Sequence, residues 1–203
     1  MQNKRHNILD DAWEMKEELM GEAAHSLRIG LITNTVMNSI PLVIPDISKL
    51  MEVSDDFKVD FTDLGKLSTP VLLHTSNDDL QLAILIVHDK DSSHIQCYPF
   101  NNVTDGYWWS YEMAFDMVPG GQIEIRPIHT LLEEFEFEPT QEMMAHLEAL
   151  AIICSAFVYR YQRGEIELTE ETEDFSKINK KRVRNKKTPI VNNWIPTYVN
   201  SED

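Results

Sequence analysis

The segment Leu82-Ala83-Ile84-Leu85-Ile86-Val87 lies near the middle of the 203-residue chain and contains no polar side chain. An apolar run of this length is typical of a β-strand that is buried on both faces. The polar cluster at residues 89–93 predicts a turn, and residues 94–100 then return as an antiparallel partner. We therefore expect a β-hairpin at the centre of the fold.

Further strands are expected on both sides of this hairpin. Residues 71–74 are short and apolar, and residues 107–118 alternate strongly between large apolar and polar side chains. The large residues that share one face of this second segment are Tyr107, Trp109, Tyr111, Met113, Phe115 and Met117. A Pro-Gly-Gly turn at residues 119–121 leads into a last strand over residues 122–128. Short turns join antiparallel neighbours, so the pattern predicts an antiparallel meander sheet of about five strands.

Two helices are expected to pack on this sheet. Residues 139–163 form the long C-terminal helix of the prediction, since Pro139 fits its first turn and Gly164 is a natural stop. Its apolar stripe recurs at spacings of three and four residues and comprises Met143, Leu147, Leu150, Cys154, Phe157 and Tyr161. An amphipathic N-terminal helix is predicted over residues 8–29, with Asp10 or Asp11 as its cap. The predicted fold class is therefore α+β.

Charge is distributed very unevenly along the chain. Residues 1–176 hold 11 basic and 32 acidic side chains, a net charge of −21, whereas residues 177–203 hold 7 basic and 2 acidic, a net charge of +5. The acidic part repels nucleic acid and anionic membranes, and the basic part attracts polyanions. The two regions therefore favour different partners.

This polarity suggests three regions. Residues 1–164 are expected to form a single α+β domain, and residues 165–188 a charged linker that is first acidic and then basic. Residues 189–203 are apolar again, with Trp194, Ile195, Tyr198 and Val199. We expect this C-terminal segment to dock back on the domain as an edge strand, where its prolines are tolerated.

The C-terminal part of the chain resembles a known group of sequences. A long helix that includes residues 150–156 is followed by Ile178-Asn179-Lys180-Lys181-Arg182-Val183-Arg184-Asn185-Lys186-Lys187-Thr188-Pro189-Ile190 and then by Tyr198-Val199. This arrangement resembles the C-terminal part of a group of uncharacterised bacteriophage proteins, over roughly the last 60 residues. Thr188-Pro189 stands where that group often has two prolines. The resemblance implies a phage origin and an α+β fold, and it assigns no catalytic residue.

The basic run is the main candidate binding site. Its members are Lys180, Lys181, Arg182, Arg184, Lys186 and Lys187. Such a cluster binds the phosphates of nucleic acid in a salt-dependent, sequence-independent way, or binds an acidic partner. The alternative is that it neutralises the protein's own surface, including the six acidic residues among residues 165–174. The sequence leaves both interpretations open.

Catalytic and metal sites are not expected. His74-Thr75-Ser76 matches one element of the two-histidine phosphoesterases, but a second element is missing. His88, Asp89, Asp91 and His94 crowd one turn and are suitable ligand types for a metal, although hairpin tips are usually polar. We therefore predict no catalytic residue, no metal and no cofactor.

The remaining features favour a cytoplasmic protein. Cys97 and Cys154 give no disulfide framework or metal spacing and are expected to be free thiols in a reducing compartment. The polar segment at residues 1–7 shows no signal peptide, and no apolar stretch is long enough to span a membrane.

We expect a non-enzymatic interaction or accessory protein, phage-encoded, that binds another protein in the host cytoplasm or during assembly and does not bind membranes. The alternative is a nucleic-acid-associated accessory protein that uses the basic run. A small hydrolase is a third possibility. The oligomeric state is left open.

Overall fold

The computed structural model shows a mixed β-sheet with helical residues packed against both of its faces. The structure describes residues 9, 30–31, 33–52, 69–75, 82–89, 94–103, 107–110, 113–118, 122–127 and 140–199. Among these residues the strands are β1 (Ile40–Ile44), β2 (Val71–Thr75), β3 (Leu82–Asp89), β4 (His94–Val103), β5 (Tyr107–Ser110), β6 (Met113–Val118), β7 (Gln122–Pro127), β8 (Ile166–Glu170) and β9 (Trp194–Tyr198). The helices are α1 (Ile47–Met51), α2 (Gln141–Gln162) and α3 (Ser176–Arg184).

The topology of the sheet differs from the predicted meander. The strand order is β7-β6-β4-β3-β2-β1-β9-β8, and β5 pairs with β4. β1 and β2 are parallel, whereas the β2–β3 and β3–β4 pairs are antiparallel. The prediction that α and β elements share one fold is correct, and the prediction of a five-stranded antiparallel meander is wrong. Turn signals indicate only local pairing, while β1 is joined to β2 by a crossover that contains α1.

The alternating segment at residues 107–118 forms two strands instead of one. β5 pairs with the second half of β4, and β6 pairs with the first half, both in antiparallel orientation. Within β6, residues two apart share one face of the sheet, as the predicted alternation requires. Phe115 and Met117 accordingly both lie in the core, fully buried.

The C-terminal segment contributes an interior strand. β9 lies between β1 and β8. It is parallel to β1, and Leu42 of β1 pairs with Trp194 of β9. That contact precedes Pro196, so the missing proline N–H falls where the ladder to β1 has ended. β8 takes the edge of the sheet that was expected for residues 189–203. Residues 165–188, expected as a linker, contain both β8 and α3.

The main core lies between α2 and one face of the sheet. The sheet contributes Leu42, Ile44, Val71, Leu73, Ile84, Ile86, Ile95, Cys97, Phe115 and Met117. The helix contributes Leu147, Leu150, Ala151, Cys154, Ala156, Phe157, Val158 and Tyr159. The helix expected over residues 139–163 is thus present, and burial of a stripe at helical spacing provides most of its stability.

The opposite face of the sheet carries a smaller core. Its buried members are Leu9, Val36, Leu72, Ala83, Leu85 and Phe100. Leu9 and residues 33–37 are helical. Because Ala83 and Leu85 face this core while Ile84 and Ile86 face α2, the prediction that β3 is buried on both faces is confirmed. The helix predicted over residues 8–29 lies outside the described residues apart from Leu9.

Arg160 joins the C-terminal elements to the rest of the domain. Its side chain is 12% exposed, and its Nε donates to the carbonyl oxygen of Leu50 at 3.1 Å. Its Nη2 donates to the carbonyl oxygen of Glu52, and its guanidinium lies over the Tyr198 ring, 5.6 Å from the ring centre. A single arginine on α2 therefore contacts the end of α1 and strand β9.

Candidate functional site

The basic run lies within an insertion in a β-hairpin. β8 and β9 pair antiparallel, from Ile166–Tyr198 at one end to Glu170–Trp194 at the other, and α3 lies in the connection between them. Ile166 is buried in the main core, and Tyr198 packs against that core. The hairpin is thus anchored through its inner face, and it carries α3 in the connection at its turn end.

Polar groups fix the start of α3. The side chain of Asp174 accepts a hydrogen bond from the backbone N–H of Ser176 at 2.9 Å. Donation from Ser176 lowers the pKa of the Asp174 carboxyl below its ordinary value, because these bonds favour the charged form. A carboxylate in this place also opposes the positive end of the helix dipole. The acidic segment thus ends at Asp174, just before α3 begins, and the basic residues lie within the helix and beyond it.

The end of α3 is a Schellman motif. Lys186 N–H donates to the carbonyl of Val183 at 3.0 Å, and Lys187 N–H donates to that of Arg182 at 2.9 Å. Lys186 has φ +59°, which is the left-handed conformation that such a motif requires. The chain reverses there and returns along the helix.

One side of α3 is fastened to this returning segment. Asn179 Nδ2 donates to the carbonyl of Ile190 at 2.8 Å, and Asn179 Oδ1 accepts from the N–H of Ile190 at 2.7 Å. Arg182 Nε donates to the carbonyl of Thr188 at 2.6 Å. These contacts use Asn179 and Arg182, and they fix the rotation of α3 about its own axis.

The opposite side of α3 is a basic face, defined by Lys177, Lys180, Lys181 and Arg184. Their spacing of three, four and seven residues places all four on one side of a helix. All four are exposed, as are Lys186 and Lys187 just beyond the helix. Within the described part of the chain, no ion pair joins any residue of the basic face to an acidic side chain.

The neighbouring acidic side chains lie along β8, the last strand of the described sheet. We define the acidic edge as Glu167, Glu170 and Glu173, which are exposed on β8 and just after it. Glu167 and Glu170 are three residues apart on a strand, so they border this edge from opposite faces of the sheet. Glu165 forms ion pairs with two arginines instead. Its Oε2 lies 3.9 Å from Arg160 Nη1, and its Oε1 lies 2.5 Å from Arg163 Nε. Direct pairing of the basic face with the acidic residues at 165–174, which the sequence left open, is not observed among the described residues.

The sequence-predicted residues are thus only partly brought together. Lys180, Lys181 and Arg184 share the basic face, whereas Arg182 points to Thr188 on the other side. The prediction did not single out Lys177, which completes the face, or Asn179, which orients it. Reading residues 176–184 with helical periodicity identifies Lys177, but the contact of Asn179 with Ile190 has no sequence signal.

The described residues considered for a catalytic or a metal site lie on strands β2, β3 and β4, outside α3. His74 and Thr75 are fully buried within β2, away from solvent. His88 and His94 lie on β3 and β4, and Asp91 lies outside the described residues. In the described ranges, no three His, Cys, Asp or Glu side chains come together in a way that suits a metal ion.

The two cysteines face each other across the main core. Cys97 on β4 and Cys154 on α2 are both free and fully buried. Burial raises the pKa of the Cys97 thiol well above its ordinary value, with smaller contributions from its hydrogen bond to Cys154 and from nearby negative charge. A thiol held in its protonated form is a poor nucleophile.

Comparison of the chain with protein-family models, with curated proteins and with solved structures found no match. Among the described helices, none is both long and apolar enough to cross a membrane. The functional argument therefore depends on the geometry of α3 and its surroundings.

Proposed function

We propose that this chain is a non-enzymatic interaction protein that binds an acidic partner through the basic face of α3. The observation that carries the proposal is that four cations lie exposed on one side of a helix and make no ion pair with the described acidic residues. Because α3 is held in one orientation by Asn179 and Arg182, its backbone loses little further freedom when the basic face meets a partner.

The architecture around α3 supports a binding role over a role in stability. α3 has no buried side chain, so its residues contribute little to the core. It is nevertheless held in place by the Asn179 and Arg182 contacts and by an ordered C-terminal motif. A helix that is oriented but not buried is suited to presenting its outer face.

The biological setting in this proposal is a phage-encoded protein that acts in the host cytoplasm. It is supported by the resemblance of the C-terminal part to the group of bacteriophage proteins and by the two free cysteines.

A retention experiment tests the proposal. The wild-type chain should bind an immobilised heparin column at about 150 mM salt, where charges are screened over about 8 Å. The Lys177/Lys180/Lys181/Arg184→Ser variant should not be retained. In the matched control, the three lysines are replaced by Arg and Arg184 by Lys, which keeps the charge and should keep the retention. Passage through the column of wild-type protein that is monomeric at the loading concentration would refute the proposal.

Nucleic acid is the second candidate partner, because the exposed cations continue beyond the helix at Lys186 and Lys187. Binding to duplex DNA should then weaken with salt, with a logarithmic slope of about −0.9 for each phosphate contacted. Removing one lysine of the basic face should reduce this slope by about one contact. Absence of binding to duplex and single-stranded nucleic acid by a chain retained on heparin would exclude this candidate.

A further inference from the structure

We infer that the acidic partner of the basic face is the acidic edge of a second copy of this chain. The inference depends on the proposed function, since it names the partner of the same surface. It adds a second surface, composed of Glu167, Glu170 and Glu173, and predicts that the protein assembles with itself.

The acidic edge lies where another molecule can reach it. β8 is the last strand of the described sheet and pairs with β9 alone. Glu167 lies opposite Thr197, and both side chains are exposed, so this face of the hairpin is not covered. Natural edge strands often carry charge to prevent unspecific pairing, and such charge also selects an oppositely charged partner.

The two surfaces do not pair within one chain. Asn179 and Arg182 hold one side of α3 against residues 188–190, so the basic face is turned to the opposite side. The acidic edge and the basic face are both exposed, and the basic face makes no ion pair with described acidic residues. Their complementary charges can therefore be satisfied by a second molecule.

Apolar side chains beside the basic face favour a protein over a nucleic acid. Ile178 is 52% exposed and Val183 is 60% exposed, and they flank the basic face on its two sides. A protein surface can bury both, whereas phosphates cannot.

Overall repulsion between two acidic chains does not prevent this contact. The net charge is −16 per chain, but interactions between exposed charges are screened beyond about 8 Å at physiological salt. Pairs formed at the contact itself are much closer than this distance. Two copies can make this contact twice about a two-fold axis and form a dimer, or once in head-to-tail order, which propagates into rings or open chains.

Complementary charge reversals test the inference. The first variant is Lys177/Lys180/Lys181→Glu and the second is Glu167/Glu170/Glu173→Lys. These side chains are exposed, so both variants should retain the wild-type circular dichroism spectrum. Sedimentation of the wild-type chain should show association that increases with concentration and weakens with salt. Each variant alone should associate at least tenfold more weakly.

The decisive measurement is an equimolar mixture of the two variants. The intact acidic edge of the first variant can bind the intact basic face of the second, so the mixture should associate although neither variant does so alone. A mixture that stays monomeric overturns the inference. If a variant does not fold, the corresponding Ser substitutions replace it, and they should give the same restoration in the mixture.

The remaining outcomes separate this inference from the proposed function. A wild-type chain that stays monomeric but binds heparin refutes self-assembly and leaves the proposed function standing. A wild-type chain that neither associates nor binds heparin refutes both. Assemblies that absorb at 260 nm and dissociate after nuclease treatment would identify nucleic acid as the partner and overturn the inference.

Discussion

Gly164 and Lys186 occupy the same position in two helix-ending motifs, with φ values of +72° and +59°. After α2, the N–H of Glu165 donates to the carbonyl of Arg160 at 2.9 Å, and the N–H of Gly164 donates to that of Tyr161 at 3.2 Å. The equivalent hydrogen bonds at the end of α3 run from Lys187 N–H to the carbonyl of Arg182 and from Lys186 N–H to that of Val183. The first motif uses the residue that tolerates this conformation, and the second places a lysine there.

Lys186→Gly should stabilise α3. A non-glycine residue in the left-handed region is strained, and relief of that strain should lower the free energy of α3 by about 0.5–1 kcal/mol, after allowance for the more flexible unfolded chain. Hydrogen exchange of the α3 amides should slow correspondingly. Lys187→Gly is the control, because it removes the same charge at a residue whose φ is not positive. Faster hydrogen exchange of the α3 amides in both variants would contradict the explanation by backbone strain.

Gly164→Ala should destabilise the whole fold by about 1 kcal/mol, since the position requires a left-handed conformation. An added Cβ would meet no atom within 4 Å, so the cost comes from the backbone alone. Urea denaturation measures the change. Gly30→Ala is the matched control, because Gly30 has equal space and no positive φ. It should be neutral or stabilising, and equal losses in both variants would show that φ is not the cause.

Arg160→Met should lower the free energy of unfolding by about 1–3 kcal/mol, because it leaves the carbonyl oxygens of Leu50 and Glu52 without this donor. The midpoint of chemical denaturation reports the loss. Arg163→Met removes an arginine whose side chain is 59% exposed, and it should change stability by less than about 0.5 kcal/mol. Similar values for the two variants would refute a special role for Arg160.

Alkaline pH should destabilise the fold through Cys97, whose pKa is raised by burial. Below the unfolded pKa of about 8.5 the thiol is protonated in both states, so its contribution is fully present. Above that pH the unfolded chain releases the proton while the folded chain retains it, and stability falls as pH rises. The expected loss is at most about 1.4 kcal/mol per pH unit. The Cys97→Ala variant should have a shallower alkaline slope, and an unchanged slope would contradict the assignment.

Asn179→Ala should weaken anion binding without changing the charge of the chain. It removes both hydrogen bonds to Ile190, so the basic face loses its fixed orientation. A local loss of about 1–2 kcal/mol corresponds to a roughly 5- to 30-fold faster hydrogen exchange in α3. Elution from heparin should occur at lower salt. Asn185→Ala, at the exposed C-terminal cap of the same helix, should behave as wild type. Unchanged elution of both variants would show that orientation does not matter.

Much of the local structure can be predicted from residues that are close in the sequence. The apolar run of β3 and the return into β4 predict a hairpin, which the structure contains. The three-and-four spacing from Leu147 to Phe157 predicts the face of α2 that packs on the sheet. The position of the basic residues, and their separation from the acidic ones, can likewise be read directly.

The sequence alone determined the elements with strong periodicity and the charge polarity of the chain, because hydrophobic spacing and charge are properties of neighbouring residues. The tertiary structure decided the parallel pairing of β1 with β2 and the insertion of β9 beside β1 at Leu42 and Trp194. It also decided which side of α3 is presented, through the contact of Asn179 with Ile190. These features depend on contacts between residues far apart in the chain, and the free energy of such contacts is set by packing and hydrogen-bond geometry that no local pattern encodes.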